Sequence, residues 1–192
     1  LVDLIGQEGK EVWVSTFHSL CARILRIHAP LLGYDKNFII LDTSDQNALM
    51  RTVLSELDVN DKNFPPGVVL GTIGKAKDEL VGPVQYTANA SDYYESTVAK
   101  AYTLYQGKLK RNNALDFDDL IFLTVRLFME NPQVLEHYQD RFRYIMVDEY
   151  QDTNRAQYML ISLLAKKYMN LCVVGDDDQC LVPGSQILTA GG

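Results

Sequence analysis

Residues 144–154 read Tyr144-Ile145-Met146-Val147-Asp148-Glu149-Tyr150-Gln151-Asp152-Thr153-Asn154. A short apolar run stops at two adjacent carboxylates, passes through a polar turn and gives way to a helical pattern from Arg155 to Lys167. The pattern predicts a buried strand, a loop and then a helix. In open parallel sheets ligands sit beyond the carboxyl ends of the strands, which puts Asp148 and Glu149 where a nucleotide and its metal are held. One carboxylate of such a pair can bind Mg²⁺ through its water shell while the next orients or deprotonates an attacking water. Taken alone, the pair also reads as a turn before a helix capped by Thr153 or Asn154, and for a bare Asp-Glu that plainer reading is favoured.

A second stretch changes the balance. Leu171-Cys172-Val173-Val174 is another short apolar run, and it opens on Gly175-Asp176-Asp177-Asp178-Gln179. Two buried strands joined by one helix, both ending on acidic and amide side chains, predict a βαβ unit with a site at its rim. Asp148-Glu149-Tyr150-Gln151-Asp152-Thr153-Asn154 and Val174-Gly175-Asp176-Asp177-Asp178-Gln179 together resemble motifs II and III of the superfamily 1 DNA helicases of the UvrD/Rep/PcrA type.

Two further phrases resemble the same family. Glu11 to Phe17 reads as a strand and His18-Ser19 opens a helix, so Thr16-Phe17-His18-Ser19 lies at another sheet rim; it resembles the family's TFHS motif, which contacts single-stranded DNA. Hydroxyl and imidazole donors can meet phosphates at a helix N-terminus, and an aromatic ring can stack on a base. By itself the stretch would read as a Thr16 or Ser19 cap with Phe17 in the core and His18 on the surface. Beside the carboxylate motif, DNA contact is the better reading for Thr16 and His18, and less so for Phe17. Leu115-Asp116-Phe117-Asp118-Asp119-Leu120 matches the family's LDFDDL phrase. Carboxylates at a helix start suit its positive end, so this phrase is read mainly as structural.

Between these landmarks the character of the chain shifts. Phe38-Ile39-Ile40-Leu41 predicts a strand, and Asp42-Thr43-Ser44-Asp45 has capping chemistry for a helix to about Leu57. Residues 45–112 then hold no further convincing strand; Pro65-Pro66 and Gly82-Pro83 punctuate helical segments near 67–80 and 92–111. Lys75, Lys77, Lys100, Lys108, Lys110 and Arg111 could give this region a basic DNA-facing side, though a solvated helix face is at least as good a reading for most of them. Tyr86, Tyr93, Tyr94, Tyr102 and Tyr105 could stack on bases but at helical spacing are more often packing, and none of these residues is assigned to a site. The fold class that follows is α/β. The resemblance makes it an incomplete RecA-like P-loop NTPase core, a parallel sheet flanked by helices, with an inserted all-helical subdomain. The core occupies 1–44 and 113–179, and the subdomain 45–112.

Composition bounds the rest. With 192 residues and 47% hydrophobic content the chain can bury a real core. Lys+Arg 18 against Asp+Glu 25 leaves a net charge of −7, so any nucleic-acid binding must come from a local surface. Cys21, Cys172 and Cys180 are odd in number and lack paired ligand spacing, which suggests a reducing cytosol and no structural zinc. No signal peptide is visible, and no apolar run approaches the ~20 residues of a membrane span. The chain starts at Leu1 and has no G-x-x-x-x-G-K-[ST] segment, so the phosphate cradle and its lysine are absent. A piece of a longer enzyme is expected, inactive alone, with an exposed sheet edge and poor solubility.

The resemblance implies an ATP-dependent DNA helicase that couples hydrolysis to 3′–5′ translocation on single-stranded DNA and duplex unwinding, in repair or replication. ATP and Mg²⁺ would be the cofactors. Single-stranded DNA and duplex junctions would be the partners, with DNA-repair proteins as further candidates and a cytoplasmic location. Asp148 would hold Mg²⁺, Glu149 would activate or position the water, and Gln179 would sense the ATP γ-phosphate. A neutral amide can hydrogen-bond a phosphate without repulsion, whereas Asp176, Asp177 and Asp178 are expected to face solvent, metal-bound water or backbone donors. The helicase part of a helicase–nuclease, or a non-catalytic DNA-binding module, are the alternatives.

After Gln179 the text departs from the helicase pattern. Cys180-Leu181-Val182-Pro183-Gly184-Ser185-Gln186-Ile187 resembles the opening block of an intein, whose first residue attacks the preceding carbonyl. A thiol at Cys180 can shift the Gln179–Cys180 amide to a thioester, so residues 180–192 are read as a possible intein N-terminus.

Overall fold

The protein is described by a computed structural model covering residues 13–175. Helix α1 (Phe17–His28) starts at Thr16, whose Oγ1 accepts the Ser19 backbone N–H, and buries Cys21, Ile24 and Leu25. A 3₁₀ turn (Ala29–Leu32) follows and is closed by Gly33 in the left-handed region at φ 72°. The chain then enters strand β1 (Ile39–Ile40) and leaves for four helices: α2 (Thr43–Glu56), α3 (Pro66–Asp78), α4 (Pro83–Asn89) and α5 (Tyr93–Arg111). It returns through strand β2 (Ala114–Leu115) into α6 (Phe117–Glu130) and α7 (Pro132–Arg141). Strand β3 (Ile145–Val147), helix α8 (Arg155–Ala165) and strand β4 (Leu171–Val173) complete the described chain.

The helical excursion has a defined neck. Strands β1 and β2 run parallel, Ile39 pairing with Ala114 and Ile40 with Leu115. Asn113, at φ 47°, accepts the Asp35 N–H on its side-chain oxygen at 2.8 Å, while its carbonyl accepts the Ile39 N–H at 3.0 Å. The exit from α5 is thereby tied to the entry to α2.

Two hydrophobic cores follow from this path. One gathers Cys21, Leu25, Phe38, Leu123, Phe128 and Leu160 from the two ends of the described chain. The other gathers Met50, Leu54, Ile73, Tyr102, Tyr105 and Leu109 from its middle. A buried ion cluster lies where they meet. Lys77 of α3, 1% exposed, places Nζ 2.6 Å from Asp116 and 2.8 Å from Asp119. The same two carboxylates form the capping box that starts α6, and Gln106 of α5 donates to Asp119 at 3.0 Å. Burial pushes the Asp119 carboxyl up to about 6, with Asp116 adding to the rise and Lys77 opposing it. Burial alone would drive the Lys77 ammonium down, but Asp119 and Asp116 outweigh it and hold it raised. Two carboxylates share one ammonium, so one of them retains its proton more readily than usual.

Several sequence expectations change. Residues 13–16 of the strand expected over 11–17 form no strand, and Phe17 is already helical. A strand exists only where another takes its backbone hydrogen bonds; here the Thr16 carbonyl accepts the Leu20 N–H and starts α1 instead. The LDFDDL phrase begins with strand β2, and its helix starts one residue after Asp116. Helix α4 was not expected. The strands expected to be buried are covered on one side: Val147 is buried, whereas Met146 is 75% exposed and Cys172 is exposed. Among the described residues the parallel strands form two separate pairs, β1–β2 and β3–β4, rather than one continuous sheet.

Candidate functional site

The β3–α8–β4 unit builds the carboxylate rim. Ile145, Met146 and Val147 pair in parallel with Leu171, Cys172 and Val173. Hydrogen bonding continues past both strand ends, since Val174 N–H donates to Val147 O at 2.8 Å and Tyr150 N–H donates to Val174 O at 3.0 Å. The loop after β3 is thus pinned to the start of the loop after β4.

Within that loop Glu149 adopts a left-handed conformation, φ 52° and ψ 42°. For a residue with a Cβ this costs about 1–2 kcal/mol. Local bonds hold it: Asp152 N–H donates to Glu149 O at 3.0 Å, and Thr153 Oγ1 donates to Tyr150 O at 2.8 Å. The result is a single 3₁₀ turn (Tyr150–Asp152) that turns both carboxylates outward. Asp148 is exposed, and its Oδ1 accepts the Glu149 N–H at 3.0 Å. Glu149 is exposed, and its Oε2 accepts from Gln151 Nε2 at 2.6 Å.

The carboxylates of Asp148 and Glu149 are hard oxygen donors, the chemistry a Mg²⁺ site uses. Among the described residues no group of three or more His, Cys, Asp or Glu side chains converges on one point. Gln179, Asp176, Asp177, Asp178 and Cys180 lie outside the described residues.

Helix α8 anchors the loop from the other side. Asn154 caps it in a reciprocal box with Gln157, and Asn154 Nδ2 also donates to Asp78 of α3 at 2.6 Å. Arg155 lies 3.5 Å from Glu79. Partial burial, together with the neighbouring Glu79, raises the Asp78 carboxyl. The expected cap is therefore present, and it is shared with a helix of the middle segment.

The second group of candidate residues lies at the start of α1. Thr16 is exposed and spends its hydroxyl on the helix start, accepting from Ser19 N–H at 3.3 Å and donating to Ser19 Oγ at 3.0 Å. Phe17 is partly buried against the first core. His18 stacks on Phe117 of α6 with ring centroids 4.0 Å apart, and burial lowers its pKa, so the imidazole is neutral at pH 7. Phe117 keeps 51% of its surface exposed. The open aromatic face beside His18 thus belongs to Phe117. Helix α6 packs against both α1 and α8, and so links the two groups.

Sequence reading passed over Phe117, Gln151 and Asp78. Phe117 stands three and four residues before Leu120 and Ile121, so helical periodicity counts it with the core; at the first turn it overhangs instead. Gln151 falls inside the carboxylate motif, but its spacing alone does not pair it with Glu149. Asp78 carries no sequence signal, because its partner is distant in the chain.

Parallel strands that bring a carboxylate pair and Gly175 to one rim place this unit in the α/β class. The chain belongs to the UvrD/REP helicase N-terminal domain family, which it matches over residues 2–181. It is 50% identical over 178 residues to the ATP-dependent DNA helicase PcrA of Bacillus subtilis (strain 168). It is 49% identical over 178 residues to the proteins of that name from Staphylococcus aureus and Staphylococcus epidermidis. Each alignment covers 93% of this chain and 24% of the relative, so the chain spans about a quarter of the length of the curated relatives it matches.

Proposed function

We propose that the protein to which this chain belongs is an ATP-dependent DNA helicase moving 3′–5′ on single-stranded DNA and opening duplex junctions, in cytoplasmic DNA repair or replication. The observation that carries the reading is the pinned β3–β4 rim, which presents Asp148 and Glu149 side by side next to Gly175. Asp148 holds Mg²⁺, which supplies charge neutralisation at the phosphates. Glu149 orients or deprotonates the water, and Gln179 meets the γ-phosphate. Thr16, Phe17 and His18 form the DNA-facing edge, to which the exposed Phe117 adds a ring for stacking. Residues 1–44 and 113–179 make the ATPase core and 45–112 the helical subdomain; the division of the buried side chains into two cores supports this.

The test is DNA-stimulated ATP hydrolysis by the full-length protein, with Glu149→Gln as control. Turnover that disappears in the variant supports the reading. DNA binding without turnover in the wild type would make the protein a binding module and return the carboxylate pair to a turn.

The tail carries a separate proposal. The Cys180 thiol attacks the Gln179 carbonyl, the Gln179–Cys180 C–N bond breaks, the freed amine takes the thiol proton, and a thioester results. Its support is the Cys-Leu-x-x-Gly-Ser-x-Ile pattern and a family match that stops at residue 181. Expression of the whole reading frame should yield a spliced product that Cys180→Ala abolishes; one unprocessed chain in the wild type would refute it.

A further inference from the structure

We propose that Gln151 is a positioning residue for hydrolysis: its amide fixes the Glu149 carboxylate, and the bare backbone of Gly175 provides the space that the amide occupies. The proposal rests on the reading of Glu149 as the group that handles the attacking water. An exposed glutamate at a loop tip has several torsions free, so its carboxylate samples many directions unless something holds it. Gln151 Nε2 donates to Glu149 Oε2 at 2.6 Å. A carboxylate only accepts, so the nitrogen end of the amide must face it, and Oε1 then lies on the Gly175 side. The choice of an amide matters. A lysine there would stabilise the charged carboxylate and weaken it as a base, whereas a neutral donor orients it with a smaller effect.

Gly175 sets the other wall. A Cβ at Gly175 would stand 2.5 Å from Gln151 Oε1, but 3.5 Å from Gln151 N and 3.6 Å from Tyr150 N. The two backbone distances are ordinary contacts; the clash is with the end of a side chain. Among the described residues Gly33 is the glycine with positive φ, so Gly175 is not required by its backbone conformation. An added methyl therefore moves the Gln151 amide and leaves the loop in place. Because amide oxygen and nitrogen move together, the donor is withdrawn from Glu149. Gly175 follows β4, so one side chain links the end of that strand to Glu149.

The experiment measures kcat and KM for ATP in DNA-stimulated hydrolysis by the full-length protein, comparing wild type, Gln151→Leu, Gly175→Ala, their double variant and Glu149→Gln. Loss of orientation should lower kcat about tenfold or more in Gln151→Leu and Gly175→Ala, with KM within about threefold. The double variant should be no worse than the more impaired single one, because both act through one amide. Turnover within about twofold of wild type in Gln151→Leu, a rise in KM at unchanged kcat, or multiplicative losses in the double variant would overturn the proposal. If Glu149→Gln also keeps full turnover, the hydrolytic reading of Glu149 falls first and takes this one with it. If only Gln151→Leu keeps it, the positioning role alone is refuted.

Discussion

Lys77 is a fully buried ammonium facing two buried carboxylates, and its effect on stability depends on pH. Replacing it by Met leaves Asp116 and Asp119 without a counter-charge, a change that costs about 3–5 kcal/mol in buried pairs. The sign of the pH effect follows from Asp119. Its folded carboxyl is raised from the model-compound 3.8 to about 6, so between those values the folded chain binds the proton more readily than the unfolded one. That contribution favours folding at low pH and is lost as pH rises through 6. Without Lys77 the carboxyl rises further, so the pH dependence steepens. Urea unfolding should place Lys77→Met well below the native chain at pH 7, with the gap narrowing at pH 5; an equal gap at both would contradict this account.

Among the elements, α8 is the one that ties chemistry to architecture. Its cap, Asn154, ends the carboxylate loop and also reaches Asp78 of α3. Asn154→Ala should cost about 1 kcal/mol for the cap alone. Asp78→Ala should cost less singly, and a double-mutant cycle by urea unfolding should return a coupling of at least about 0.5 kcal/mol between the two. Additive effects would mean that α3 and α8 touch without holding each other. The strands make a similar point. Ile39, Ile40 and Leu41 are legible as strand from their apolar run, but Ala114-Leu115 is not, because two residues become a strand only when a partner supplies their hydrogen bonds.

Over this chain as a whole, the net charge of −7 gives no general attraction to a polyanion, so the DNA contact proposed above has to come from a local surface. The candidate edge around Thr16, His18 and Phe117 offers stacking and neutral donors. His18→Ala and Phe117→Ala in the full-length protein should weaken single-stranded DNA binding, Phe117→Ala by about 1–3 kcal/mol. KM for ATP should stay unchanged. Fluorescence anisotropy with a labelled oligonucleotide reads this directly, and unchanged affinity in both variants would move the DNA path elsewhere.

The sequence by itself determined the order of most helices, the strand before Asp148, the strand before Gly175, and capping chemistry at Asp42–Asp45 and at Thr153-Asn154, where the structure uses Asp42 and Asn154. These depend on neighbours within a few residues, where periodicity and capping chemistry act. It also determined the family, because the two carboxylate-bearing phrases are long and contiguous. Only the tertiary structure decided that residues 13–16 are no strand, that β1 and β2 close a neck across the helical excursion, and that Phe117 lies open beside His18. It alone brought Lys77 to Asp116 and Asp119, Asp78 to Asn154, and Gly175 to Gln151. Each of those pairs is distant in the chain, and no local pattern encodes a contact whose energy exists only once both elements have packed.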